Sequence, residues 1–273
     1  MNVKTVWAVY FSATGTTRRT VTTIAGQLAD LAECPLKEFD FTLPPARTHA
    51  MAFAEGDLVV FGTPVYAGRV PNLLIKYIAS FQGNGAIGVP IVVYGHRAFD
   101  DALIELRNTM EENGFHTVAA AAFIGEHAFS DTLAAARPDA RDLAIANEFA
   151  GHISDKVESL RDFPAPVVVP GNDPIGPYFQ PKHHDGTRID IRKVKPQTTE
   201  DCVKCKLCAK HCPMGAISMD DPTLVPGICI KCNACVKNCP KKAKFFSDPD
   251  FLFHRDDIVA LYSTPRKRPQ LFF

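Results

Sequence analysis

Apolar residues over positions 1–163 fall alternately into short unbroken runs and into helical spacing. Thr5 to Ser12 is a β-rich apolar run, and Thr16 to Leu31 places Val21, Ile24, Leu28 and Leu31 on one side of a helix. Leu36 to Phe41 predicts a short strand. Asp57 to Phe61 (DLVVF) predicts a buried strand ending at Gly62, and Leu73 to Phe81 a helix. In the next run, Val89 to Tyr94, Pro90 lacks a ladder N–H and puts the strand proper just beyond it. An amphipathic helix over Asp100 to Asn113, an alanine-rich strand over Thr117 to Ile124 and a long helix over Arg141 to Leu160 complete the series. Five strands alternating with helices predict an α/β fold, a doubly wound five-stranded parallel sheet with helices on both faces.

Sheets of this kind bind ligands beyond the C-terminal ends of their strands. The loop after strand one is Ser12-Ala13-Thr14-Gly15-Thr16-Thr17 and opens a helix. Hydroxyls and backbone N–H groups at a helix N-terminus, with a glycine for the tight turn, make a phosphate cradle. The loop lacks the GK[ST] of a Walker loop and the GxGxxG of a dinucleotide fingerprint. No aspartate stands at the strand end to accept a phosphoryl group. The loop after strand three runs from Gly62 to Pro71 (GTPVYAGRVP), and the loop after strand four from Tyr94 to Asp100 (YGHRAFD).

These three loops, and residues of about 3–162 as a whole, resemble a flavodoxin. The resemblance implies FMN, with Ser12, Ala13, Thr14, Gly15, Thr16 and Thr17 around its phosphate. It puts Thr63, Pro64, Val65, Tyr66 and Gly68 on one side of the ring, and Gly95, His96, Phe99 and Asp100 on the other. Tyr66 is the expected stacking partner, since an aromatic face beside a flat ring gives contact area at little entropic cost. Gly68 and Gly95 would let backbone approach the ring edge and tune its redox state.

Eight of the nine cysteines lie in two copies of one comb, C-x2-C-x2-C-x3-C-P: Cys202, Cys205, Cys208, Cys212, then Cys229, Cys232, Cys235, Cys239. Zinc sites use paired CxxC motifs without the x3 spacing and proline. Residues of about 198–245 resemble a bacterial-type ferredoxin with two [4Fe-4S] clusters, in which the fourth cysteine of each run ligates the other cluster. The resemblance implies one cluster on Cys202, Cys205, Cys208 and Cys239, and the second on Cys229, Cys232, Cys235 and Cys212. A unit of this size buries little apolar surface, so the clusters would also staple it.

Composition adds limits. The 273 residues carry 30 basic and 30 acidic side chains, so net charge suggests neither nucleic acid nor an anionic membrane as partner. No apolar run reaches membrane-span length, and the N-terminus reads as a strand rather than a signal peptide. A cytoplasmic location is expected, where thiols stay reduced and dense cysteines serve metal chemistry rather than disulfides. The ferredoxin-like stretch departs from the acidic character of many free ferredoxins. It holds eight lysines (204, 206, 210, 231, 237, 241, 242, 244) against Glu200, Asp201, Asp220 and Asp221. They either offset the anionic clusters or form a docking face for an acidic partner or an acidic part of the same chain.

Residues 164–196 are proline-rich and read as an ordered linker, with Val167, Val168, Val169, Tyr178 and Phe179 packing on a domain. Residues 247–273 read as a helix and arm docked on the flavodoxin-like domain (1–163), beyond the ferredoxin-like unit (197–246). Cys34 reads as an inert half-buried thiol, His183 and His184 as solvated, and Trp7 as core.

With YGHRAFDDAL and CPKKAKFF included, the whole chain resembles the flavodoxin–ferredoxin fusion family of anaerobic bacteria and archaea. The resemblance implies electron transfer among FMN, two [4Fe-4S] clusters and redox-protein donors and acceptors. Reduction of a small acceptor at the flavin and an iron–sulfur sensor role are the alternatives. No catalytic acid–base constellation is legible beside the flavin loops.

Overall fold

The computed structural model describes all 273 residues. The elements are β1 (Thr5–Tyr10), α1 (Thr16–Leu31), β2 (Leu36–Asp40), a 3-10 turn (Pro44–Arg47), β3 (Asp57–Pro64), α2 (Ile75–Ile78), β4 (Ile87–Tyr94), α3 (Ala102–Glu112), β5 (His116–Thr117), β6 (Ala120–Ile124) and α4 (Ala140–Ser159). Then follow β7 (Gln197–Thr198), α5 (Leu207–Lys210), α6 (Ala234–Lys237), β8 (Lys244–Phe245), α7 (Pro249–Tyr262) and β9 (Gln270–Phe272). No helix is long and apolar enough to cross a membrane.

The main sheet runs β2-β1-β3-β4-β6, all parallel, which is the flavodoxin-like strand order. Alternation along its buried strands sends side chains to two cores. Val6, Ala8 and Tyr10 join Leu28, Phe149 and Ile153 under α1 and α4. Val9, Phe11, Val59 and Phe61 join Phe41, Phe81 and Phe115 on the other face.

Three expected features of the helices and strands change. The helix over Leu73–Phe81 shrinks to a single turn, Ile75–Ile78. The strand expected from Thr117 to Ile124 breaks into β5 and β6. Pro90, expected outside the strand, sits within β4 opposite Phe61. The last two changes have one cause. Gly88 pairs with Thr117 and Ile91 with Ala121, so Val89 and Pro90 face Val118, Ala119 and Ala120. The extra residue is a bulge, and it falls where Pro90 has no N–H to offer.

β9 joins the sheet antiparallel to β6, with Ala120 opposite Phe272. The arm is fastened by His96, which is 3% exposed. Its Nε2 accepts from the Lys267 amide (3.0 Å), so Nδ1 carries the proton and donates to the Tyr262 carbonyl (2.6 Å). Burial lowers the pKa of His96; the Tyr262 carbonyl opposes this, and Arg137, Lys267 and Arg266 reinforce it. A depressed folded-state pKa means that the arm's anchoring is intact above about pH 6.5, the free imidazole value, and is lost as pH falls below it. Hydrogen exchange over residues 262–272 is expected to quicken from pH 7.5 to pH 5 beyond its intrinsic pH dependence. His96→Gln should remove that added pH dependence.

The linker is pinned along its length. Val167 and Val169 are buried, while Val168 between them is 83% exposed, contrary to expectation, because an extended chain can turn only alternate side chains inward. Asp101 accepts from the amides of Asn172 (2.9 Å) and Gly176 (2.8 Å). Tyr178 and Phe179 pack beneath the Arg69 and Arg97 guanidinium groups, at 4.7 and 4.0 Å. His183, expected to be solvated, is half-buried and pairs with Asp250 of α7 (3.0 Å); His184 stays solvent-exposed, as expected, while pairing with Asp257 (2.9 Å).

Candidate functional site

The C-terminal ends of the parallel strands open into a cleft of about 810 Å³. Its first wall is the loop from β1 into α1. Gly15 caps the helix with φ of +87°, a left-handed turn that glycine adopts without strain. Within the loop Ser12 Oγ accepts the Arg18 amide (2.9 Å) and the Gly15 carbonyl accepts the Arg19 amide (3.0 Å). The amides of Thr14, Thr16 and Thr17 have no acceptor in the protein, and the first turn of α1 carries no acidic residue. The Thr17 hydroxyl is buried without a hydrogen-bond partner. Free amides, an unpaired hydroxyl and the positive end of a helix dipole together suit an anion.

The second wall is the loop after β3. Tyr66 and Arg69 exchange backbone hydrogen bonds (3.0 and 3.2 Å) around a turn whose corners, Ala67 and Gly68, have φ of +51° and +75°. Glu105 of α3 holds the turn by pairing with Arg69 (2.5 Å) and accepting the Val70 amide (2.8 Å). The linker crosses it, with the Phe179 amide on the Ala67 carbonyl (2.8 Å). Tyr66 is thereby held at the cleft.

The third wall is Gly95 and Arg97 after β4, and Gly125 to Phe129 after β6. His127 lies against Gly95. Burial, then the charges of His254, Lys237 and Arg97, push its pKa down to about 3, so the ring is neutral. Its Nδ1 accepts the Phe129 amide (3.1 Å), which leaves the proton on Nε2.

The far wall comes from the cysteine-rich unit. Its two combs are built alike. Left-handed residues Lys204 and Lys206 lead into α5, and Lys231 and Asn233 into α6. The fourth sulfur of each comb accepts an amide four residues on, Ala216 to Cys212 (3.2 Å) and Ala243 to Cys239 (3.3 Å). The contiguous core of this unit is small, Ala209, Ile217 and Cys235, with Ala216, Cys232, Ala234, Ala243 and Phe246 also buried. Burial raises the Cys208 thiol pKa, and the neighbouring Cys202 and Cys239 add to it. Burial pushes the Cys235 thiol up to about 12, with Cys229 and Cys212 among its neighbours. No three His, Cys, Asp or Glu side chains converge on a single-ion position.

Cys229, Ile230 and Lys231 of the second comb line the cleft together with Thr14, Thr17 and Tyr66. The Tyr66 hydroxyl has its pKa raised by burial and then by the nearby Cys232 and Cys229. Two cations lock the units in this pose. Arg47 donates to the Phe41 and Thr42 carbonyls and to Pro213 (2.5 Å), and Lys237 pairs with Glu126 and Asp131 and donates to the Ser130 carbonyl (2.9 Å). Phe129 packs on Phe251 of α7, ring centres 4.7 Å apart.

Of the residues expected around a flavin, Ala13, Thr14, Thr16, Thr17, Pro64, Val65, Tyr66, Gly68 and Gly95 line the cleft. Ser12, Gly15 and Thr63 are not among its lining residues. His96 anchors the arm, Phe99 is buried against Tyr94, and Asp100 pairs with Arg97. The loop holding His127 and Phe129 was not anticipated. The strand-end rule would have found it, since Gly125 directly follows the last parallel strand.

Residues 201–243 match the 4Fe-4S dicluster domain family. No curated protein matches the chain. Among solved structures, the chain is similar to a flavodoxin from the domain Archaea (16% identity, 57% of this chain and 99% of that chain, TM-score 0.39). It is also similar to the apo form of the NADH:FMN oxidoreductase EMOB (15% identity, 59% and 94%, TM-score 0.41). A third is a Fusobacterium nucleatum flavodoxin solved with flavin mononucleotide (16% identity, 57% and 94%, TM-score 0.35). The strand order of the sheet and the family match over the combs together describe one chain that joins a flavodoxin-like domain to a 4Fe-4S dicluster domain, as in a flavodoxin–ferredoxin fusion.

Proposed function

We propose that the chain is an electron-transfer protein that passes electrons between two [4Fe-4S] clusters and FMN, linking low-potential one-electron carriers to a redox partner. The observation that carries this reading is the shared cleft, in which Cys229 to Lys231 face the anion cradle and Tyr66. The unpaired Thr17 hydroxyl and the free amides beside it fit the FMN phosphate, and Tyr66 fits the ring. The cysteines fit two crossed sets, Cys202, Cys205, Cys208 and Cys239, and Cys229, Cys232, Cys235 and Cys212. Cys202 and Cys239 stand near Cys208, and Cys229 and Cys212 near Cys235, as those sets require; Cys208 of the first set is also near Cys235. When bound, a cluster exchanges one electron and a flavin one or two, so the pair converts between the two kinds of carrier.

The chain's own residues hold these groups close and dry. The Tyr66 turn and the linker cover the cleft, Lys237 fixes the second comb and Arg47 the end of the first comb against the flavodoxin-like domain, and neutral His127 supplies an Nε2 proton at its rim. Anaerobic reductive titration of the reconstituted protein tests the reading: flavin and cluster absorbance should both bleach. A protein that binds no flavin would overturn it. Tyr66→Ala is expected to weaken FMN binding about tenfold or more while leaving the iron content unchanged. Unchanged flavin affinity would remove the stacking role.

A second reading draws on the cleft's extension past Tyr66 to Arg188 and Arg192 of the linker. There FMN would reduce a small acceptor, and turnover of quinones or nitro compounds tests it.

A further inference from the structure

The eight lysines of the ferredoxin-like unit divide by what they touch. Three are engaged inside the molecule. Lys231 donates to the Arg192 and Cys229 carbonyls (2.8 and 2.9 Å), and Lys244 to the Pro222 carbonyl (2.6 Å). Lys237 meets Glu126, Asp131 and the Ser130 carbonyl. The acidic part of the same chain is therefore already matched, and by the second comb's side of the unit.

The other five, Lys204, Lys206, Lys210, Lys241 and Lys242, have no close partner. Lys204 alone comes within 4.0 Å of a carboxylate, that of Asp221. All five stand within three residues of Cys205, Cys208 or Cys239, and Lys204, Lys210, Lys241 and Lys242 are exposed. Three acids adjoin this cysteine set: exposed Glu200, Asp201, whose carboxylate accepts the Thr199 hydroxyl (3.1 Å), and Asp221 beside Lys204. Cys205 is itself exposed, whereas Cys232 and Cys235 of the second set are buried. Beside Cys205, Val203 and Leu207 are 60% and 36% exposed. An apolar centre with a predominantly basic rim is the anatomy of a transient contact with an acidic protein.

We propose that this face, around Cys205, is where an acidic one-electron carrier protein docks. The first cysteine set is then the outer port and the second the one next to the flavin cleft. The inference rests on the ligand sets proposed above. Each encounter moves one electron, lost by the carrier and gained by this chain, with no bond made or broken. Charge complementarity selects the carrier: four unpaired lysines, with Lys204 beside them, raise the encounter rate with an acidic surface and repel a basic one.

The test uses the full-length protein reconstituted with iron, sulfide and FMN. The probe is a reduced acidic plant-type [2Fe-2S] ferredoxin, whose visible spectrum is distinct. Stopped-flow rates of its oxidation should fall steeply with added salt. In the K210E/K241E double variant the low-salt rate should drop at least about tenfold, and affinity for the oxidised ferredoxin by calorimetry should fall in parallel. Neither position has positive φ, so the comb geometry is spared. Reduced methyl viologen, a cation, should react no more slowly with the variant, and K76E on α2 should behave as wild type. A double variant that keeps the wild-type rate, or a K76E that loses as much, overturns the proposal. If the double variant fails to hold iron, the wild-type salt series decides, and a salt-independent rate overturns it. Flavin bleaching after viologen reduction judges the cluster-to-flavin reading separately. Clusters that bleach beside a flavin that stays oxidised would sink that reading and leave the docking face to its own rates.

Discussion

Stripping iron from the holoprotein is expected to unfold residues 197–246 and leave residues 1–163 folded. The cysteine-rich unit has almost nothing else to hold it. Its buried apolar residues are few and mostly small, clustered on Ala209, Ile217 and Cys235, its helices α5 and α6 are four residues each, and its only sheet is the two-residue pair β7–β8. Helices of one turn do not persist alone, and a unit this small needs a staple. The sheet of the first domain, by contrast, lies between two cores of 25 and 23 buried residues. Hydrogen exchange after chelation under reducing conditions should show the amides of α5 and α6 lose nearly all protection while β1, β3 and β4 keep theirs. Persisting protection in α5 and α6 would mean that the linker and α7, not iron, hold the unit. His183–Asp250, His184–Asp257 and Phe129–Phe251 would then carry more of the assembly than their exposure suggests.

Thr14→Asp is expected to cost FMN about a hundredfold in affinity while leaving the protein at least as stable. The two signs differ because the same helix end acts in both. A carboxylate just ahead of α1 meets the positive end of its dipole, where acids stabilise a helix by about 0.3–1 kcal/mol. Wild-type α1 has no acid in its first turn and no side-chain cap, so the position is open to that gain. A phosphate brought to the same amides would meet a like charge, costing about 3 kcal/mol per charge pair near 5 Å at an effective dielectric of about 20. Riboflavin, which lacks the phosphate, is the control. Its affinity should be equal for the two proteins. If FMN and riboflavin weaken together, the substitution has damaged the ring site and the cradle assignment fails.

The parts of this molecule legible in the sequence are those whose signal is local. Val21, Ile24 and Leu28 fix the buried face of α1 by spacing alone and are buried, whereas Leu31, expected with them, is 44% exposed at the last turn of the helix. The comb spacing likewise announces its unit, and the 4Fe-4S dicluster match falls on it. What was not legible depends on partners far along the chain. His96 reads as a loop residue beside Gly95, and nothing near it reveals that Tyr262 and Lys267 will claim both ring nitrogens. Gln270 to Phe272 is too short a run to announce a strand, and only the free edge of β6 makes it one. Val168 shows the limit of composition: its apolar neighbours are buried and it is not. Pro90 misled for a related reason. Proline is unfavourable in a central strand only if the neighbour asks for its N–H, and that neighbour bulges away at Val118 to Ala120.

The pairing of β9 with β6 makes the ferredoxin-like unit an insertion, since the chain leaves the first domain after α4 and returns to its sheet at Gln270. A ribosome delivers these pieces in order. Residues 270–272 are made after both combs, so the sheet edge stays bare until the cysteine-rich segment has emerged. During that interval β6 offers unpaired backbone to any passing strand. The combs are thereby available to iron before the sheet can be completed. A cell short of iron would be expected to accumulate chains with a floppy insert and a poorly anchored β9, and to lose them to aggregation or proteolysis.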